Sequence, residues 1–367
     1  MTASKPTILI FTTHTGGGHL NLAQSLQGML DSHYNVVIAN PQSASVERNY
    51  TLAIRHFTKL LEWQFTISDN SLISFCIQQV VTLLDNGRIL NIIQHSKPQL
   101  IITTHALLSY AVARANEKSR KRVPLVFQLT DLGHLHTTWF IEKHADAYLA
   151  PSNEIFIQAL KQGIVRDRLH LTGRPVRQQF LHASPDEKEK TLATLGFDPA
   201  VFTIFLQGGA KGSSSLNRTL ETMLALDMPI QIILAVGNNE AGASRYASIE
   251  KIRVLHFTEA IAPYMAASDV IAGKAGASFI TESFMLEKPF IATTCISGQE
   301  SPNLQFIRQH DLGWICLETN AQKELFATLA SNPGFITEKK HSICAYKAWN
   351  LQANQHIVPI IDQLLSP

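Results

Sequence analysis

Cysteine is scarce in this 367-residue chain, and its four copies, Cys76, Cys295, Cys316 and Cys344, stand far apart with no CxxC pair among them. That spacing argues against a structural zinc site and against a disulfide framework, and it suits a reducing compartment. An excess of one charge is missing too: 31 Lys and Arg face 29 Asp and Glu, a formal charge of +2. A general nucleic-acid binder carries a basic excess, so no nucleic-acid partner is expected. No stretch approaches the ~18 uninterrupted apolar residues of a spanning helix. The opening run "PTILIF" is short and leads into a polar glycine turn with no small-residue cleavage pattern. Low-complexity tracts and repeats with a period of roughly 20 to 50 residues are also absent. Together these absences lead to the expectation of a cytoplasmic protein, soluble or held peripherally on the inner face of the cytoplasmic membrane.

What is present is apolar material, 45% of the chain against 16% charged, enough for two domains of about 150 residues each. Short β-branched runs alternate with longer segments of helical period. "TILIFTT", "NVVIAN", "QLIITTH", "PLVFQLTD", "DAYLAPS" and "RLHLTG" form one series; "VFTIFLQGG", "IQIILAVG", "IRVLHF", "DVIAGKAG", "PFIATT" and "GWICL" form a second. Continuous apolar strands separated by helices are what a parallel sheet covered on both faces requires, so the fold class is α/β with two doubly wound domains. The polar stretch "RQQFLHASPDEKEK" marks the break, which places a first domain at 1–175 and a second at 176–345. The last segment, about 346–367, has helical spacing with no strand after it and is expected to return to the first domain. A long helical region, about Val46 to Ser96, carries more apolar residues than one core face needs; Trp63 and Phe65 beside Arg55 and Lys59 make it a candidate surface for anionic lipid, with plain domain core as the equal alternative.

Three strand-to-helix turns are rich in glycine: "THTGGGH" with Gly17, Gly18 and His19; "LQGGAKG" with Gly208, Gly209 and Lys211; and "GKAGASFITES" with Ala275, Gly276, Ser278 and Glu282. Such turns let a ligand approach the backbone, and the helix start that follows favours an anion. None fits the Walker A or GxGxxG pattern. Lys211 reads as a screen for phosphate charge. Taken alone, Glu282 reads as a surface residue. "TDLGHLHTTWF" gathers Asp131, His134, His136 and Trp139; without a fourth ligand it suits acid–base chemistry better than a metal. Ten of the fifteen histidines precede Gly173, so the first domain is where a proton acceptor is expected.

In order and spacing these motifs resemble the monogalactosyldiacylglycerol synthase and processive diacylglycerol glucosyltransferase family. More distantly they are similar to the peptidoglycan lipid II N-acetylglucosaminyltransferase. The resemblance implies a GT-B fold, two Rossmann-like domains facing across a cleft. It implies an inverting transfer of a hexose from a UDP-sugar, UDP-galactose or UDP-glucose, to a lipid hydroxyl, with diacylglycerol as the foremost acceptor. The donor is a substrate, and neither a resident cofactor nor a metal is implied. By position, Gly17, Gly18, Gly208, Gly209, Ala275, Gly276 and Ser278 would lie near the diphosphate, the backbone after Phe257 beside uracil, and Glu282 at the ribose. Gln299, Glu300 and Asn303 would meet the sugar and the neighbouring phosphate, and Arg174 matches the interdomain turn. His19 is the leading base candidate, with His136 second.

The sequence also departs from the family pattern. His14, a further candidate base because a histidine can also accept a proton, stands where the plant enzymes carry an aspartate; Lys211 replaces an acid, and "AGASF" stands for "AGPGT", so that Ser278 replaces glycine and Phe279 replaces a threonine hydroxyl. Three rival readings share the donor site: a transferase with a soluble acceptor, a UDP-sugar 2-epimerase, and a non-catalytic binding module. The "HTGGGH" and "SGQE" motifs favour transfer, while His14 and Phe279 are the features that favour the module.

Overall fold

The structure is a computed structural model, and it describes residues 5–14, 17–42, 65–182, 186–208, 214–237, 239–296, 298–332 and 334–366. Gly209 and Lys211 of the second glycine turn, and Arg55, Lys59 and Trp63 of the apolar insertion, lie outside those residues.

The chain divides into two compact units, Met1–Arg177 with Trp349–Pro367, and Gln178–Ala348. In the first, strands β1 (Thr7–Phe11), β2 (Asn35–Ala39), β3 (Leu100–Thr103), β4 (Leu125–Gln128), β5 (Ala147–Ala150) and β6 (Leu169–Leu171) form one sheet in the order β2-β1-β3-β4-β5-β6. In the second, β7 (Phe202–Gln207), β8 (Ile230–Gly237), β9 (Ile252–His256), β10 (Val270–Lys274), β11 (Phe290–Thr294) and β12 (Gly313–Ile315) form a sheet in the order β12-β11-β10-β7-β8-β9. Every pairing is parallel. All twelve apolar runs of the sequence are therefore strands, and the α/β class is as expected.

Parallel strands need crossovers, and helices supply them. The first unit holds α1 (Gly18–Leu30), α2 (Ser71–Ser96), α3 (Ala106–Lys118) and α4 (Asn153–Lys161). The second holds α5 (Asp186–Thr194), α6 (Ser214–Leu224), α7 (Glu240–Tyr246), α8 (Ala262–Ala267), α9 (Ala277–Met285), α10 (Ser301–Gln309) and α11 (Thr319–Ser331). Helix α12 (Gly334–Asn354) leads from the second unit to the first, and α13 (Ile357–Leu365) ends the chain.

Alternation along the strands sorts the first core into two layers, as a period of two requires. Ile8 and Ile10 pack with Leu26 and Leu30 of α1 and with Ile357 and Ile361 of α13. Leu9 and Phe11 pack on the other face with Ile89 and Ile93 of α2 and Leu108 and Val112 of α3. In the second unit Ile204, Leu206, Ile232 and Leu234 pack with Leu216 and Leu220 of α6 and Phe326 and Leu329 of α11.

The strand order positions the sites. Crevices open at the carboxyl edge of a doubly wound sheet where consecutive connections leave in opposite directions. In the first sheet this switch lies between β1 and β3, and in the second between β7 and β10. The first glycine turn follows β1, and the other two follow β7 and β10.

Candidate active site

At the first switch point the ends of β1 and β3 are tied side by side. Thr104 N donates to Phe11 O (3.0 Å), and Thr104 Oγ1 donates to Thr12 Oγ1 (2.9 Å). His14 follows, exposed. Gly17 is the N-cap of α1 with φ 78°, a conformation open to glycine at little cost, and Gly18 begins the helix. This turn swings His19 back over β3, where Nδ1 lies 2.8 Å from Thr104 O. A carbonyl only accepts, so Nδ1 carries the proton and Nε2 keeps its lone pair in the neutral ring.

The charges around His19 come from neighbouring loops. Burial lowers its pKa from the ordinary imidazole range; the Asp131 carboxylate and the Thr104 carbonyl oppose that shift, and the Arg174 charge adds to it. Asp131 accepts from Thr130 Oγ1 (3.1 Å), and the Arg174 guanidinium donates to Thr130 O. Arg174 is buried, and its backbone N donates to Asn350 Oδ1 at 2.7 Å. Gly173 just before it has φ 67°, and a Cβ there would come within 2.7 Å of Asn350 Oδ1. The turn "TGRP" is thus latched to α12, and the latch sets the loop that carries Asp131.

His136 sits in a separate cluster. It caps the short 3-10 turn Thr137–Phe140, accepting from Thr138 N at Nδ1 (3.2 Å). With Nδ1 accepting, Nε2 is the protonated nitrogen; it lies 3.2 Å from Phe65 O and 3.1 Å from Ser68 Oγ. Both ring nitrogens hold the chain in place. Asp69 receives Thr137 N (2.8 Å) and stands 3.8 Å from His134. Among the described residues no group of three His, Cys, Asp or Glu could hold a metal, so Asp131, His134 and His136 do not form a ligand set.

At the second switch point the backbone is packed to its limit. Gly273 has φ 153°, and a Cβ on it would fall 2.0 Å from Gln207 O of β7. Gly208 lies against Leu216, with 2.9 Å left for a Cβ. The β10–β11 register shifts between Gly273 and Lys274, turning the chain through Ala275 into Gly276, the N-cap of α9. Lys274 forms an ion pair with Glu300, whose other oxygen accepts from Ile296 N (2.9 Å). Both groups border Gly276: a Cβ there would lie 3.6 Å from Glu300 Oε1 and 3.9 Å from Lys274 Nζ. Buried Asn303 donates to Ala275 O (3.1 Å), fixing α10 on the turn, and Gln299 is half-buried beside it. A cation, a carboxylate and the start of a nine-residue helix therefore share one corner, an arrangement suited to an anion with hydroxyl groups attached.

Glu282 is only 4% exposed, which corrects the surface reading of that residue. It is one of seven buried residues of α9, so its burial follows from the packing of the helix and not from local periodicity. Ser278 is half-buried in the first turn of α9. Phe257 is exposed after β9, its N–H bonded to Gly237 O (3.1 Å). The Phe279 ring lies tilted by 54° to that of Phe205 (6.2 Å) and edge-on to that of Phe290 (5.3 Å), packed against residues of the strands at the turn.

A family model described as monogalactosyldiacylglycerol (MGDG) synthase matches residues 19–176, and one described as the glycosyltransferase family 28 C-terminal domain matches residues 203–337. The chain is a glycosyltransferase of the MGDG synthase and family 28 type. MGDG synthase 2, chloroplastic, of Arabidopsis thaliana is 26% identical over 330 residues, which are 83% of this chain and 70% of that relative. The spinach (Spinacia oleracea) chloroplast MGDG synthase is 26% identical over 83% of this chain and 62% of its own length. Among solved structures, HepE of Anabaena in complex with UDP and glucose has a TM-score of 0.59 at 16% identity, covering 98% of this chain and 100% of that one. MurG of Acinetobacter baumannii has a TM-score of 0.59 at 15% identity, covering 98% and 99%. At such identities the likeness is one of fold, and the fold is GT-B.

For an MGDG synthase-type enzyme the Phe279 position gains a physical reading. An aromatic ring at the start of α9 packs between the strands instead of offering a hydroxyl. Two residues that bear on the site escaped the sequence reading. His105 ends "TTH" after β3 just as His14 ends "TTH" after β1, and the duplicated triplet on adjacent strands was the available signal. Lys274 stands one residue before the glycine turn, in the same strand-end position that drew attention to the other turns.

Proposed function

We propose that this glycosyltransferase moves a hexose from UDP-galactose or UDP-glucose to a lipid hydroxyl, that of diacylglycerol, with inversion at the anomeric carbon. The observation that carries the reading is the His19–Thr104 hydrogen bond, 2.8 Å, which leaves Nε2 of a neutral imidazole as proton acceptor. In this reading Nε2 takes the proton of the acceptor hydroxyl as its oxygen attacks the anomeric carbon. The bond from that carbon to the diphosphate oxygen breaks on the opposite side, and UDP leaves. Asp131 stabilises the imidazolium that forms. The N-terminus of α9, with Lys274 beside it, receives the charge of the departing diphosphate. Glu300, Gln299 and Asn303 hold sugar hydroxyls and the adjoining phosphate, Glu282 the ribose, and the backbone at Phe257 the uracil. Arg174 keeps the loop of Asp131 in place. His14 lies exposed on the same turn as His19, and the two committed nitrogens of His136 suit a structural cap better than a base.

UDP release from UDP-galactose and UDP-glucose, with and without dioctanoylglycerol and with the product identified by mass, tests this. A glycosylated lipid is the expected product. Transfer only to a water-soluble acceptor would replace the lipid, a rearranged UDP-sugar formed without acceptor would make the chain an epimerase, and UDP binding without turnover would make it a binding module.

The lipid acceptor draws support from α2. Its first half buries polar side chains, with Gln78 Nε2 donating to Ala106 O (2.7 Å) and Ser74 Oγ to Ser68 O (2.8 Å). Meanwhile Leu72 is 71% exposed, Val80 56%, Leu83 84% and Leu84 71%. These recur at helical spacing along one face, an outward stripe suited to insertion at a lipid surface. No helix among the described residues is long and apolar enough to cross a membrane, so the proposed association is peripheral. Replacing both Leu83 and Leu84 with glutamate is expected to weaken binding to anionic vesicles by at least about tenfold in flotation, given roughly 1.5–3 kcal/mol per fully buried leucine. Soluble UDP binding stays unchanged. Equal flotation of both proteins would remove the lipid surface from α2.

A further inference from the structure

His105 is a buried histidine that the transfer step as proposed does not use, and it touches the proposed base. The residue is 9% exposed and stands at the N-cap of α3, where a short polar side chain would bond the free helix N–H groups. Its side chain makes no such bond. Its Nδ1 is buried with no hydrogen-bond partner among the described residues. A nitrogen left bare in a buried place carries its full desolvation cost, which a phenylalanine or leucine of similar size would avoid. The ring meets that of His19 edge-on, centroids 4.4 Å apart at 64°. Burial, reinforced by the His19 charge, holds the His105 pKa well below the ordinary imidazole value. The ring is therefore neutral at neutral pH, with one donor and one acceptor nitrogen.

We infer that Nδ1 of His105 is a hydrogen-bond station for an oxygen of the acceptor next to its reacting hydroxyl, an alcohol or ester oxygen, occupied when that hydroxyl lies against His19. The inference rests on the reading of His19 as the base. It gives the bare nitrogen a partner and makes His105 the residue that aligns the acceptor, while His19 moves the proton.

Three variants separate this from packing. An asparagine side chain places its amide near the position of the histidine Nδ1, a glutamine side chain reaches the Nε2 position, and phenylalanine keeps the volume with no polar atom. With dioctanoylglycerol in detergent micelles and whichever UDP-hexose the unaltered enzyme turns over, His105→Phe and His105→Gln are expected to raise the acceptor KM about tenfold, the scale of one neutral hydrogen bond. The donor KM stays the same, and His105→Asn stays within about threefold of the unaltered enzyme. His105→Phe is expected to melt no lower than the unaltered protein, because it removes a bare polar atom. Unchanged acceptor KM in His105→Phe overturns the inference while leaving the functional reading intact. So does a common loss across all three variants with a lowered Tm, which assigns a packing role. If the unaltered enzyme glycosylates no acceptor, the functional reading fails and takes this inference with it.

Discussion

Substituting His19 by alanine is expected to lower kcat for glycosyl transfer by at least about a hundredfold, the lower end of what general bases contribute, while UDP affinity measured by calorimetry changes little. The separation follows from location. His19 belongs to the unit built on β1–β6, tied to Thr104 at the end of β3, whereas the Lys274–Glu300 corner belongs to the other unit. His19→Gln retains a hydrogen-bonding group without a basic nitrogen and is expected to be nearly as slow. Full activity in His19→Ala would move the base to His14. His136→Ala is expected to act mainly on stability, by freeing Phe65 and Thr138 from the ring that joins them.

The same residue sets the acid side of the pH profile. A base works in its neutral form, and burial lowers the His19 pKa below the usual 6.5 even though Asp131 opposes the shift. Activity should therefore rise as pH increases through a value below 6.5 and be level by neutrality. Replacing Asp131 with asparagine removes the opposing charge, so the acid limb should move to still lower pH as kcat falls. A limb that moves upward in Asp131→Asn would show that the two groups do not interact as described.

The architecture was legible because the physics behind it is local. A strand buried on both faces must be apolar along its whole length, and each of the twelve runs stood between turn residues, from "TILIF" to "GWI". The glycine turns were legible for a similar reason, since backbone that turns sharply from strand to helix needs residues such as Gly17. What stayed hidden depends on which strands become neighbours. Nothing near His19 in sequence announces Thr104 or His105; the β1–β3 pairing brings them together across 85 residues. Glu282 could not be placed inside before the sheet under α9 was known. Helix α2 is divided: Ile89 and Ile93 join the core, whereas the first half buries Ser74 and Gln78 while Leu83 faces out, a sorting that the apolar excess of the segment alone does not resolve between core and surface.

Gly273→Ala is expected to be the most destabilising single change in the second unit. Its added Cβ would sit 2.0 Å from Gln207 O and 3.2 Å from the Phe279 ring, with backbone on one side and an aromatic cluster on the other. Gly273 and Gln207 are register partners, so relief requires β7 and β10 to part where the sheet reverses direction. Overpacking of that kind, with φ in a region alanine avoids, costs at least about 3 kcal/mol. The expected result is a Tm lowered by several degrees or insoluble protein, together with lost UDP binding, because the same displacement carries Lys274 and the start of α9 away from Glu300. Gly87→Ala is the control: it lies within α2, its Cβ would meet nothing within 4 Å, and alanine in a helix gains about 0.8–1 kcal/mol over glycine. If the two variants melt alike, the tight approach of β10 to β7 does not hold this unit together. If Gly273→Ala folds normally yet fails to bind UDP, the glycine serves the donor and not the sheet.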